Sequence, residues 1–564
     1  MKKILTMLLV LTMVIGLFAG CGGGQEVKPQ TEGNGKPTLT IGIPADANVM
    51  SYDDNALTNW IEEQLDCNLE FMIYSGGSDI ATQISTTIAA RQELPDILWD
   101  INLGAEMISQ YGEDGYLLDL APYFFSDVEA QTPNTEMAPY FWEKYDMFDK
   151  YYGEDFEAKM QDEVIYRMTE ESGAVYSYPV FGYTPTDFMF YQAYINQTWL
   201  DKLGLPMPDS VESLYETLKA FKANDCNGNG VHDEIPLYGN RLGNLGADCY
   251  SYLINMFGYW DGTTYWLDNG DGTLQNAYTA DHYREGLKFI NKLYKEGLMT
   301  PLTVTGSSSE MKRLVTPATG PSLVGMFIGH LTIACTPEAE NLYEYVPVPF
   351  WSPAVEKRCP VTREIFITTD CPEENQELAF KLLDLVSCSD EGAMRVRYGE
   401  KDVNWQEYQG TETAPSGDVW KWEMVGPDQL GTQTNAIWSS AMCITPCSEL
   451  YSMKQPATDW FKYKIDLVWE QYQNYMKAME QNPDRIYPGP RYTDEEDERT
   501  GVARENTITA CSTYMTEFIT GVKDPNSDAQ WEAYLKELDS LGMQEWQEVS
   551  EASWNRLLEA GFKG

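Results

Sequence analysis

The sequence predicts an α/β protein of more than one domain, on three observations. From residue 38 onward, β-rich apolar runs alternate with amphipathic helical stretches, the order that builds a mostly parallel sheet covered by helices. The chain has 564 residues, where a compact domain takes roughly 100–200, so roughly two to four packed units are expected. Its 43% hydrophobic and 22% charged residues are those of a folded chain, which excludes disorder throughout.

The elements follow in order. Thr38–Ile43 reads as a strand, Leu57–Leu65 as a helix and Leu69–Tyr74 as a second strand. Ile80, Ile84 and Ile88 recur at the four-residue spacing of one helical face, and that helix must stop before Pro95. Pro95–Trp99 is a third, buried strand; ligands of such sheets bind beyond the carboxyl ends of the strands, which places Trp99 and Asp100 at a candidate site rim. Tyr176–Tyr183 carries Pro, Gly and aromatics with no helical period and reads as an extended crossing segment. A helix starts at Asp209 as N-cap, with Glu212 three residues on and Val211, Leu214, Leu218 and Phe221 on one face. Another covers Tyr283–Glu296 and stops at Gly297, a third covers Gln376–Ser387, and the chain beyond about Thr458 is mainly helical. Asp268–Thr273 reads as a hairpin turn, and the acidic run Asp494–Glu498 as a solvated loop or helix start.

Charge and rare residues exclude several functions. Net charge is −48, from 39 basic and 87 acidic residues, so a phosphate-neutralising nucleic-acid binder is excluded. Only His232, His282 and His330 are present, too few for a His-rich zinc site. No Gly-x-Ser-x-Gly elbow and no His-Glu-x-x-His occurs, and no motif singles out a carboxylate pair for glycoside hydrolysis. The chain is therefore expected not to be an enzyme.

At the amino terminus, Lys2 and Lys3 precede an apolar run from Ile4 to Phe18 that is short for a spanning helix and has the parts of a secretory signal. It ends Leu17-Phe18-Ala19-Gly20-Cys21, which resembles the lipobox of bacterial lipoproteins, in which the Cys is lipidated. On that reading residues 1–20 are removed and Cys21 anchors the chain to the outer face of the cytoplasmic membrane. Residues 21–37, rich in Gly and polar residues, form a flexible tether. Ten cysteines remain, without repeated Cys-x-x-Cys spacing; Cys359/Cys371 and Cys443/Cys447 are pairings open in an oxidising exterior.

The sharpest motif is Asp225-Cys-Asn-Gly-Asn-Gly-Val-His-Asp-Glu234. Asp225, Asn227, Asn229 and Asp233 stand at positions one, three, five and nine of an EF-hand-type loop, with Gly230 at position six for the bend. Val231 supplies a backbone carbonyl, and Glu234 gives the carboxylate that position twelve, a proline, cannot. An all-oxygen set suits Ca²⁺ in a structural role; a polar Asn-Gly turn without metal is the other reading.

Several stretches resemble one family. They are Leu94–Trp99, Gly115–Leu120, Trp199–Pro208, the Asp225–Glu234 loop, Tyr283–Leu298, Glu517–Gly521 and Trp531–Leu538. Together with the lipobox they are similar to the extracellular solute-binding proteins (family 1) of ABC sugar importers, in the alginate- and oligosaccharide-binding branch. One departure stands at Asn196-Gln-Thr-Trp199, where relatives often carry a basic residue and an Asp. The resemblance implies a two-lobed type II periplasmic-binding-protein fold, each lobe a mixed sheet flanked by helices, with the ligand cleft between them. It implies lobes of 38–180 with 354–412, and 181–353 with 413–564. It also implies a structural calcium on the loop and a monomer that hands an oligosaccharide to an ABC permease. Sugars present apolar C–H faces and hydroxyl rims, so aromatics outside obvious helices are the ligand candidates, with Asp100: Trp99, Tyr178, Phe181, Trp260, Trp351, Trp405 and Trp438. Trp460, Trp469, Trp531 and Trp546, borne on helices, are expected in the core. The rival readings are a secreted calcium-stabilised glycoside hydrolase and a carbohydrate-binding surface lipoprotein without a transport role.

Overall fold

A computed structural model describes residues 34–75, 79–147, 161, 163–182, 192–239, 249–260, 265–329, 331–336, 339–349, 361–427, 429, 432–438, 452–481 and 489–562. Cys21, Trp351, Cys359, Cys443 and Cys447 lie outside them. Two four-stranded mixed sheets organise the chain, as expected. The first contains β1 (Thr38–Pro44), β2 (Asn68–Tyr74), β3 (Ile97–Trp99) and β14 (Ile365–Ile367), in the order β14-β3-β1-β2. β1 runs parallel to β2 and β3, and β14 returns antiparallel to β3. A small hairpin, β4 (Phe125–Asp127) with β5 (Thr132–Pro133), follows in the chain.

The second sheet contains β7 (Ala193–Asn196), β8 (Ile235–Gly239), β11 (Val324–Ile328) and β12 (Tyr345–Pro347), in the order β12-β7-β11-β8. Every residue of β11 is buried, which fits a strand covered on both faces. A Cβ at Gly325 would stand 2.4 Å from Phe221 and 2.9 Å from Trp199, so only glycine lets those two rings pack directly on the strand. Asn196, at the departure noted above, has a structural role: its Oδ1 accepts from the Trp199 N–H (3.0 Å) and its amide donates to Glu344 (2.8 Å).

Between the sheets, β6 (Val180–Phe181) pairs antiparallel with β13 (Val361–Thr362). The outgoing crossing thus falls where the Tyr176–Tyr183 composition put it. Its return partner is residues 361–362. The hairpin β9 (Trp266–Asp268) and β10 (Leu274–Asn276) turns through Gly270 and Gly272, both at positive φ. A third sheet, β15 (Trp405–Glu407), β16 (Trp422–Met424) and β17 (Met453–Lys454), holds together residues on both sides of the boundary expected at 412/413. Residues 434–438 join the first sheet's unit: Thr434 bridges Val49, and Asn55 Nδ2 donates to the Ile437 carbonyl (2.9 Å).

The helices match their sequence signals. The helix Asp281–Lys295 is followed by Gly297 at φ 62°, and the helix Asp494–Thr520 opens on a Thr493/Glu496 capping box within the acidic run. One cap differs. The helix Val211–Ala223 is capped by Ser210 with Ser213 as the reciprocal partner, not by Asp209, because the serine hydroxyls form the box one residue further on. Cys371 is a free buried thiol, and Cys359, its expected partner, lies outside the described residues. No helix among the described residues is long and apolar enough to cross a membrane.

Candidate functional site: a cleft and a polar loop

A cleft of about 840 Å³ opens between elements far apart in sequence. The helix Ala105–Glu113, just beyond the end of β3, turns Ala105, Ser109 and Glu113 toward it at four-residue spacing, with Glu106 beside them. Residues 166–172 continue that wall. Facing them are Tyr265 and Trp266 of the hairpin, the segment Gly489–Thr493, Asp497, Arg504 and Ile508 of the helix that follows, and Trp546. Val361 and Arg363 of the returning crossing also line the space.

The aromatic surface belongs to Tyr166, Tyr265, Tyr492, Trp266 and Trp546. Tyr265 is held at φ 62°, an uncommon conformation for a bulky residue, and stacks on Tyr278 (centroids 5.4 Å, 18°). Trp546 lies edge-to-face with Trp266 (4.8 Å, 70°) and donates its Nε1–H to Tyr492 Oη (2.7 Å). Tyr166 donates to the Gly489 carbonyl (2.7 Å), tying one wall to the other.

The charged groups are largely paired. Arg363 pairs with Glu170 and donates to Ser177 Oγ (3.0 Å), Arg504 pairs with Asp497 (2.8 Å), and Arg167 with Glu163 (2.8 Å). Arg491 lies over the Tyr166 ring (4.0 Å) and donates to Thr169 Oγ1 (3.2 Å) and the Glu170 carbonyl (3.4 Å). Burial lowers its pKa, because nothing fully replaces the water it has lost. Beside Arg363, burial and then the charge of Asp100 hold the Glu364 carboxyl above its usual range.

The aromatic residues expected to touch ligand sit elsewhere. Trp99, Trp405 and Trp438 are each 1% exposed, Trp260 and Phe181 2%, and Tyr178 0%. Trp99 and Trp438 pack edge-to-face on one another (5.5 Å, 88°), and Trp438 donates to Thr58 (2.8 Å). Tyr178 donates to Asp384 (2.8 Å), Phe181 packs on Phe141, Trp260 on Tyr278, and Trp405 donates to the Gly399 carbonyl (2.8 Å). All six rings pack in the interior, as do Trp266 and Trp546 of the cleft wall at 0% and 2% exposed, and Trp405 also lines a second cavity of about 410 Å³ with Tyr408 and Trp422. Asp100 is partly exposed at φ 60° at the strand end, as its position implied. Of the helix-borne set, Trp460, Trp531 and Trp546 are buried and Trp469 is half-buried; Trp546 also walls the cleft. Sequence reasoning missed Tyr166, Tyr265, Arg491 and Tyr492. The one signal that points to them is Gly489-Pro-Arg-Tyr-Thr493, an arginine in a Pro/Gly turn directly before a capping box in a very acidic chain.

The 225–234 loop has the bend its spacing demands, with Gly228 and Gly230 at positive φ. Asp225 accepts from the Gly228 (2.8 Å) and Gly230 (3.0 Å) N–H groups, and the Asn227 and Asn229 amides reach Asp233 Oδ1 (3.2 and 3.0 Å). Glu234 turns back so that its Oε1 accepts from the Cys226 N–H (2.7 Å), while its Oε2 is buried with no partner among the described residues. An orphaned carboxylate oxygen beside an all-oxygen set fits a hard cation. Among the described residues no group of three or more His, Cys, Asp or Glu forms a preassembled metal cluster.

No family model matches the chain. It is 36% identical over 137 residues to the fructooligosaccharide ABC transporter substrate-binding protein FusA of Streptococcus pneumoniae, covering 23% of this chain and 25% of that one. It is 31% identical over 138 residues to lipoprotein LipO of Bacillus subtilis, covering 24% and 26%. These matches span about a quarter of the relatives' own lengths. Solved structures match far more of the chain. A human-milk-oligosaccharide-binding solute-binding protein of Bifidobacterium longum infantis superposes with a TM-score of 0.70 at 20% identity, over 93% of this chain and 99% of that one. FusA, solved as an EF-hand mutant with fructo-nystose, superposes at 0.65 and 19% identity, over 93% and 100%. These comparisons bear out the resemblance and the two-lobed α/β fold read from the sequence.

Proposed function

This chain has the fold of the substrate-binding proteins of ABC sugar importers, and from that premise we propose that it captures an oligosaccharide outside the cell and delivers it to an ABC permease. The observation that carries this is the 840 Å³ cleft, walled by tyrosine and tryptophan and rimmed by paired arginines and carboxylates. Rings stack on the apolar faces of a sugar while the charged groups bond its hydroxyls. Closure about the β6/β13 crossing would exclude water, and the closed form is what a permease reads. No bond-making step is needed, and the reading is of a binding protein rather than an enzyme. The lobes on this reading are 38–180 with 354–412 and 181–353 with 413–564, with the β15-β16-β17 sheet and the 434–438 contacts tying the two sides of the 412/413 boundary together.

Calorimetric titration with a panel of soluble oligosaccharides tests the capture role. Binding without shortened products is expected, and ligand at 100 times Kd should add about 2.7 kcal/mol to stability. Release of shortened glycans would replace this reading with a hydrolase.

A structural Ca²⁺ on the loop is part of the proposal, held by Asp225, Asn227, Asn229, Asp233, Glu234 and the Val231 carbonyl. The buried Glu234 Oε2 supports it, as does the EF-hand named in the FusA structure. Chelator should lower the melting temperature and Ca²⁺ restore it; a chelator-insensitive melt removes the metal. Lipidation at Cys21 is likewise proposed, and Cys21→Ser should release the chain from membranes.

A further inference from the structure

The second cavity, of about 410 Å³, shares no lining residue with the cleft. It lies between the first turn of the helix Asp390–Tyr398 and the strands β15 and β16. The antiparallel register sets Glu407 opposite Trp422 and Trp405 opposite Met424, so Trp405, Glu407 and Trp422 stand on one face of the sheet. The charges around the space cancel in place. Lys401 pairs with Glu391 (3.6 Å) and Glu407 (3.1 Å), and Lys421 pairs with Asp390. From behind, Lys144 also meets Asp390 (2.5 Å) and Arg395 meets Glu391 (2.9 Å). A charged ligand finds no unmatched opposite charge in this lining, so the pattern favours a neutral one.

The polar capacity left over belongs to neutral groups. Trp405 gives its N–H to the Gly399 carbonyl (2.8 Å), but the indole N–H groups of Trp420 and Trp422 and the exposed Gln409 amide have no partner among the described residues. Lysines also lie over three of the four rings: Lys401 over Trp405 (5.8 Å), Lys421 over Trp422 (4.5 Å) and Lys454 over Tyr408 (4.7 Å). Trp420, 9% exposed, is the fourth. The amide both donates and accepts, and the two indoles donate. That set matches hydroxyl groups, each of which accepts and donates, while the Trp420 edge meets a C–H surface. The volume lies low in the roughly 300–1,000 Å³ range of ligand pockets, which suits about one or two sugar units rather than a chain.

We infer that this cavity is a second binding site, separate from the cleft, for a small neutral polyol: a free monosaccharide or the terminal unit of a glycan. Gln409 and the Trp420 and Trp422 N–H groups take its hydroxyls. The site is built on one helix and one sheet, so it needs no lobe closure and stands whether or not the cleft takes a sugar.

The test labels the tryptophan indoles of the full chain with nitrogen-15 and follows them by NMR. The titrants are the methyl glycosides of glucose, galactose, xylose and fructose, the matching disaccharides, and the charged sugars glucuronate and glucosamine. Trp420→Phe and Trp422→Phe identify the two signals. At least one neutral glycoside or disaccharide is expected to shift both signals saturably, and the charged sugars to bind about 3-fold or more weakly. Gln409→Ala should weaken the neutral ligand about 3-fold or more. Gln409 is exposed and unpaired, so this variant keeps the test decisive even if a tryptophan variant does not fold. A disaccharide that binds tighter than its methyl glycoside makes a glycan terminus the ligand, and equal binding makes it the free sugar. No shift of either signal overturns the inference, as does a shift that Gln409→Ala leaves unchanged. Shifts confined to Trp266 and Trp546 place all binding in the cleft, which overturns the second site and leaves sugar capture standing.

Discussion

Among the described residues two edge-to-face tryptophan pairs stand out, Trp99–Trp438 and Trp266–Trp546, and their surroundings differ more than their geometry. All four rings are buried. The first pair joins β3 to a segment over 330 residues later in the chain, and the Trp438 N–H is satisfied by Thr58. The second backs the cleft: Trp546 donates to Tyr492, itself on the wall, while Trp266 Nε1 has no partner among the described residues. Unpartnered buried polar atoms are not confined to the cleft, since Trp260 Nε1 in the core also has no partner among the described residues. The same edge-to-face contact thus joins distant segments in one place and backs a cleft wall in the other.

The sharpest way to break that contrast is Trp438→Ala. A cavity in a closed core should cost about 3–5 kcal/mol of stability, read by denaturant unfolding, with ligand affinity of the still-folded protein unchanged. Loss of affinity without loss of stability would put Trp438 at the site after all.

The first pair's unit also holds a buried carboxyl, Asp384, which accepts from Tyr178 (2.8 Å) and from the Tyr140 (3.1 Å) and Phe141 (2.9 Å) N–H groups. Burial raises its pKa to about 6 despite those bonds. A raised carboxyl pKa means the folded state holds the proton more tightly. Its stabilising contribution is therefore full below about pH 4 and is lost as pH rises through 6, a fall of about 3 kcal/mol. Asp384→Asn should flatten the stability difference between pH 5 and pH 8 relative to the parent protein. An unchanged difference would show that Asp384 is ionised with its ordinary affinity.

Trp546→Phe removes the bond to Tyr492 and part of the wall. It should cost about 1–2 kcal/mol of stability and about 10-fold in sugar affinity by calorimetry. The smallest effect is expected at Trp266: Trp266→Phe deletes an unpaired donor, so stability should change by less than about 1 kcal/mol or rise. A large loss would mean that a water or other group satisfies this nitrogen.

Many of the local elements are legible in the amino-acid sequence alone. The helix at Ile80, Ile84 and Ile88, the stop at Gly297, the hairpin at Asp268–Thr273 and the bend of the 225–234 loop rest on local periods and local dihedral needs. Those act within a few residues, so sequence carries them. The loop's candidate ligands all lie within ten residues, and its bend forms where their spacing puts it; only the cap of the preceding helix moves, from Asp209 to Ser210.

The ligand aromatics are not legible in the same way. Trp438 and Trp546 carry the same ring: the helical context of Trp546 points to the buried place it takes, whereas the loop-like context of Trp438 does not show that it too is buried. What each ring packs against is set by what arrives from distant segments: Thr58 and Trp99 for Trp438, Tyr492 and Tyr265 for Trp546. Sequence by itself determined the α/β class, the local elements, the acidic charge that excludes nucleic acid and the polar loop. Only the tertiary structure decided where the cleft lies, because its walls come from residues 105–113, 166–172, 265–266, 361–363, 489–508 and 546, brought together by packing that no local pattern records.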